Sequence, residues 1–188
     1  MKKILILTLA ALFVFSGCTN KGEATETTTT ATEEKTEYFD FTVTEFVDTL
    51  ADEYFTHLTF IATVPTDDGR KINTYTNGSP SDSIAPMVHY QITYDEKTEK
   101  VDYINFFTDR DFETVLPDLV LTHYFIHTGA VSSVIEPNID VDLLLDEIAK
   151  GFKENDPAFA IYKGEKFELT ATYNDKYCDA SFRPVENK

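Results

Sequence analysis

Apolar and polar residues alternate along the chain with two different periods, and each change of period marks an element. Val43, Phe46, Val47, Leu50, Tyr54 and Phe55 recur every three or four positions, the spacing that gathers side chains on one face of a helix. Thr42-Val43-Thr44-Glu45 has the form of a capping box, so a helix is predicted over 43–56. From Leu58 the period falls toward two. Leu58–Val64, Lys71–Thr76, Met87–Tyr94 and Lys100–Phe107 read as four strands. Asp67-Asp68-Gly69 supplies a turn, and 77–82 a loop. In the third run Val88, Tyr90, Ile92 and Tyr94 alternate with His89, Gln91 and Thr93, which implies one covered face and one wetter face.

The pattern then returns to helical spacing. Thr108 or Asp109 suits the cap of another helix, which Pro117 interrupts. The following segment, Asp118–His127, is apolar on most sides, as in a buried helix, and Gly129 is read as its stop. Val141, Leu144, Leu145, Ile148 and Phe152 form one stripe of a helix over 141–154, with Asp140 as N-cap and Asp156-Pro157 beyond its end. Ala158–Tyr162, Phe167–Tyr173 and Tyr177–Arg183 read as closing strands. The expected fold class is α+β: antiparallel sheet packed by three or four helices, in the segregated order helix, strands, helices, strands.

The first residues follow a different logic. Met1-Lys2-Lys3 is positively charged, and Ile4–Phe15 is a twelve-residue apolar run broken only by Thr8. A permanent spanning helix needs about 20 such residues, so the run fits the core of a secretory leader. Phe15-Ser16-Gly17-Cys18 follows, with small residues before the cysteine and Phe15 where an aliphatic residue is usual. This stretch resembles the lipobox of bacterial lipoproteins. The resemblance implies a diacylglyceryl group on Cys18, which becomes the mature N-terminus and holds the protein to the outer face of the cell membrane. Residues 1–17 are then a signal peptide. Residues 18–37 are the lipidated cysteine and a tether, and 38–188 a single globular domain. The tether is rich in Thr and Glu and lacks large apolar residues, so it cannot offset its ordering entropy. As a flexible coil it would span about 25 Å.

Charge narrows the partners. The chain carries 16 basic and 33 acidic residues, a formal net charge of −17. Loss of Lys2 and Lys3 with the leader leaves 14 basic against 33 acidic side chains, a net of −19. Nucleic acid is excluded as a partner, because binding phosphates needs clustered Lys and Arg. A basic protein, a peptide or a polyamine is the expected complement.

Candidate chemistry is sparse. His123 and His127 have the i, i+4 spacing that lets two imidazoles share a metal, with His89 as a third ligand from elsewhere. Tyr124 occupies the position where H-E-x-x-H requires Glu, so the protease motif fails. The preferred reading makes both residues hydrogen-bonded core or interface histidines. Asn138–Asp142 opens like a calcium loop, but Leu143 and Ala149 stand where an EF-hand needs Gly and Glu. Cys178 falls in the inward phase of the last strand and reads as a small core residue. No nucleophile elbow or phosphate-binding glycine loop is present, and no cofactor is expected. Tyr75, Tyr90, Tyr94 and Tyr103 fall in the predicted sheet, as packing residues or as an interaction surface.

These features favour a lipid-anchored binding or interaction module without chemistry of its own. A metal-dependent surface hydrolase using His123 and His127 is the second reading, and a structural envelope protein the third. Intact-mass spectrometry of the native product is expected to show a chain beginning at a diacylglyceryl-modified Cys18. A free thiol there, or a retained leader, would overturn the assignment.

Overall fold

Two hydrogen-bonding solutions share the described residues: three helices, α1 and α3 of them opened by side-chain caps, and strands that pair into one ladder. The computed structural model describes residues 37–77, 87–109, 117–174 and 177–185. The chain divides into two compact units, Met1–Glu34 and Lys35–Lys188, and every described residue lies in the second. The leader, Cys18 and the tether up to residue 36 lie outside the described residues. The elements run α1 (Val43–Tyr54), β1 (Thr59–Pro65), β2 (Arg70–Asn77), β3 (Val88–Asp95), β4 (Val101–Asp109), α2 (Pro117–Ile135), α3 (Val141–Glu154), β5 (Ala158–Lys163), β6 (Phe167–Tyr173) and β7 (Tyr177–Pro184).

The capping box forms at α1. The Glu45 amide donates to Thr42 Oγ1 at 3.3 Å, and the Thr42 amide donates to Glu45 Oε2 at 2.7 Å. The bonds its carboxylate accepts from the Thr42 amide and, at 3.0 Å, from the Thr42 hydroxyl hold the Glu45 carboxyl below its usual range. The helix ends at Tyr54, before the predicted 56, because Phe55 turns left-handed at φ 54° and the Thr56 amide closes on Leu50 O.

All seven strands form one antiparallel sheet in the order β1-β2-β3-β4-β7-β6-β5. The last strand lies beside the fourth, with Ile104 opposite Phe182 and Phe106 opposite Ala180. The two strand groups that the sequence separates therefore merge in space. The segregation into helix, strands, helices, strands does not survive as architecture. The core lies on one face, where Tyr90, Ile92, Ile104, Phe106, Phe167, Leu169 and Phe182 are fully buried. The helices pack there: Tyr124 of α2 contacts Phe106, and Phe152 of α3 contacts Tyr173.

Two helix expectations are corrected. No helix starts at Thr108 or Asp109: both belong to β4, and Thr108 pairs with Cys178. The rest of that expected helix, 110–116, lies outside the described residues, so the described helices number three. Gly129 does not stop α2, which continues to Ile135. Its missing side chain serves packing instead, since a Cβ there would sit 3.1 Å from Val141 Cγ1 at the start of α3. Pro117 does open α2, where its lost N–H has no helical acceptor to miss. Asp140 caps α3 by accepting from the Leu143 amide at 3.0 Å.

Gly151 sets the closest approach of helix to sheet. A Cβ there would lie 2.6 Å from Ala160 Cβ and about as close to its backbone as packing permits, at 3.1 Å from Ala160 Cα. Gly151→Ala gains up to ~1 kcal/mol of helix propensity but overpacks the α3–β5 contact by about 1–3 kcal/mol. A net loss of stability is expected in urea unfolding followed by circular dichroism. A rise in the midpoint would refute this account of the contact.

Candidate binding surface

The face of the sheet away from the helices carries the most organised polar chemistry in the molecule. Alternation with the core places three cross-strand rows there. Thr76, His89, Phe107, Asp179 and Thr172 form one, and Thr74, Gln91, Asn105, Ser181 and Thr170 the next. Thr93 and Tyr103 lie opposite each other in the third row, beside Arg183 of β7. No described helix packs against this face.

Its centre is a connected group. Asn105 Nδ2 donates to Asp179 Oδ2 at 2.6 Å and to Ser181 Oγ at 3.1 Å. Tyr103 OH donates to the same Ser181 oxygen at 2.8 Å. The Arg183 guanidinium lies 5.5 Å from the centre of the Tyr103 ring, within cation–π range. His89 stacks on Phe107 at 4.9 Å between ring centres. Burial pushes the Asp179 carboxyl above its usual range, and the bonds from Asn105 and Ser181 offset this only in part. Among the described residues Asp179 has no ion pair, although cations elsewhere do find carboxylates.

One such cation is structural. Arg70 bridges Asp68 at 2.6 Å and Asp102 at 2.9 Å, tying the β1–β2 turn to the extra residue of a bulge in β4. Its guanidinium holds the Asp68 carboxyl far below its ordinary value. Asp102 is almost wholly buried, and its second oxygen has no partner.

The sequence candidates fall on different sides of the sheet. Of the four tyrosines, only Tyr103 is on the open face. Tyr90 is fully buried in the core, Tyr75 is buried beside it on the same face, and Tyr94 reaches Asn73 there through its hydroxyl at 3.3 Å. They form no common surface. His127 is buried against Tyr90, with Nδ1 2.6 Å from the phenol oxygen. Its ring is 6.5 Å from that of the half-buried His123. His89 points to the opposite face from Tyr90 and cannot join them. Among the described residues no group of three metal-binding side chains assembles. Cys178 is fully buried, facing the core.

Asp179 and Asn105 escaped the sequence reading. Their signal was present, since Asp179, Ser181 and Arg183 alternate with the apolar Cys178, Ala180 and Phe182. That β7 would lie beside β4 had no local signal.

A separate cleft of about 210 Å³ lies between the segment entering α1 and the end of α2, lined by Phe39, Phe41, Ile135, Pro137, Lys166 and Val185 among others. It is smaller than the ~300 Å³ at which small-molecule sites begin. Its charged side chains, Asp40 and Lys166, are exposed rather than converging. Comparison of the chain with protein-family models, curated proteins and solved structures finds no match. The chemistry of the open face is therefore the guide to function.

The buried histidine makes a prediction of its own. Burial, reinforced by His123, lowers the His127 pKa to about 4 from 6.5. Between these values the unfolded chain binds more protons than the folded one. The stability from neutral His127 is complete above pH 6.5 and drains away as pH falls to 4. His127→Gln should flatten the pH dependence of unfolding free energy in this window by about 1.4 kcal/mol per pH unit, the slope of one proton. Parallel profiles for both chains would reject the assignment.

Proposed function

We propose that the protein is a lipid-anchored extracytoplasmic binding module that engages a cationic protein segment through the open face of its sheet. One observation carries this reading. Asp179 is a half-buried carboxylate beside an aromatic ring, held by a neutral amide and without a cation among the described residues. Burying charge without a counter-charge is unfavourable, and an incoming ammonium group would relieve it. Phe107 next to Asp179 offers the cation a π face. The rest of the chain supports the same sign of partner through its net charge of −17, which steers basic molecules by long-range attraction.

The face is broad and the cleft elsewhere is small, which favours a macromolecule over a free small amine. The anchor and tether give this arrangement a purpose. Two acyl chains hold the protein at the membrane, and a flexible tether lets the domain sample the space above it, raising the effective concentration of captured partners. No helix among the described residues is long and apolar enough to cross a membrane, so the lipid is the attachment in this reading. For the metal-dependent alternative, no third metal-binding side chain joins His123 and His127 among the described residues.

Asp179→Asn removes the charge while keeping the shape. Unfolding free energy at pH 7 should rise, because the buried charge no longer opposes folding. Affinity for pentalysine, measured by calorimetry at low salt, should fall about tenfold. Replacing the exposed Asp48 and Asp52 of α1 by Asn should weaken binding much less. Unchanged affinity in the Asp179 variant would dismiss the open face as the site.

A further inference from the structure

The two outer strands of the sheet are not equivalent. β5 is backed by α3, where Gly151 meets Ala160. Among the described residues β1 pairs only with β2, and all seven of its residues are exposed. A sheet edge presents unpaired N–H and C=O groups that template another strand. Natural edges are blunted by lysine, proline, bulges or a covering element. On β1 there is no lysine. Pro65 closes one end, and an irregularity between Phe60 and Ala62 interrupts the other. The free ladder between them is short, enough for one brief strand and too short for an open-ended stack. Phe60, Ile61 and Val64 are each more than half exposed, with Phe55 nearby in sequence at 85%.

Charge selects the occupant. Between Lys35 and Arg70 the chain has eight acidic residues and no Lys or Arg. Asp52 and Glu53 precede β1, and Asp67 follows it, while Asp68 is held by Arg70. A second copy docking edge to edge would bring like charges together. We propose that β1 is a strand-addition site for an extended segment of a partner protein in which apolar residues alternate with Lys or Arg. The backbone ladder supplies affinity, Ile61 and Val64 meet the apolar side chains, and the flanking carboxylates meet the basic ones. This surface is distinct from the Asp179 face and does not depend on it.

The test uses the full chain and a synthetic peptide of about nine residues alternating Val and Lys. Hydrogen exchange should show the outward-facing amides within Thr59–Val64 slowing about tenfold on peptide addition. A peptide with Pro at its centre, or one alternating Val and Glu, should give no protection. Ile61→Lys with Val64→Lys, both at exposed positions, should abolish the effect with unfolding unchanged, whereas Asp179→Asn should leave it intact. Three results would overturn the proposal: protection that maps to the Asp179 face, equal protection by the Val/Glu peptide, or sedimentation showing that the chain alone already dimerises through β1.

Discussion

The pairing of β4 with β7 holds the molecule together in the most literal sense. Without it the chain would be a four-stranded sheet and a three-stranded sheet linked through two helices. The register at this seam sets both faces at once. Placing Phe106 against Ala180 and Ile104 against Phe182 closes the core under the helices. The same register places Asn105 opposite Ser181 and Phe107 opposite Asp179 on the other side. Because strand side chains alternate strictly, a slip of β7 by one residue would turn Asp179 toward the helices and Phe182 to the open face. Packing of the aromatic core thus enforces the geometry of the polar face.

The interior also contains polar groups whose burial runs against stability. His127 sits in the core only as a neutral ring joined to Tyr90, and removing either partner strands the other at a cost of about 1–3 kcal/mol. Asp102 is anchored by Arg70 but leaves one oxygen unpaired. Asp179 goes further, because its charge meets no cation. The first two tie one element to another: sheet to helix for His127, turn to bulge for Asp102. Asp179 ties nothing that Asn105 and a neutral side chain could not tie equally well. In the proposed reading, that difference is what makes Asp179 the group a partner would meet.

Acidity is unevenly distributed, and the unevenness matters more than the total. The stretch from 36 to 69, covering α1 and β1, has no Lys or Arg, while Arg70 and Lys71 of β2, Lys163 of β5 and Arg183 of β7 meet Asp68, Asp102, Glu96, Glu168 and the Tyr103 ring. Asp40, Glu45, Asp48, Asp52, Glu53 and Asp67 make no ion pair among the described residues, and in the proposed reading they repel a second copy and attract basic partners. An exposed sheet edge in that setting avoids copies of itself by repulsion as well as by the Pro65 end and the bulge that shorten its ladder.

Local physics was legible from residue order. The Thr42–Glu45 cap, the Asp140 cap, the stripe of α3 and the period-two runs declare themselves within a few positions, because capping and amphipathic spacing act over that range. Local signals misled where a residue's role came from a distant neighbour. Gly129 looks like a helix stop and is a packing gap for Val141, and Thr108 looks like a cap and is paired with Cys178. The tyrosines of the sheet look like one set and are divided by its plane. Side-chain alternation could assign each residue to one face or the other, but not say which strand would lie beside it. The Asp179 site exists because two segments some seventy residues apart in sequence were brought into register by the burial of Phe106 and Phe182, a contact that leaves no trace in either segment alone.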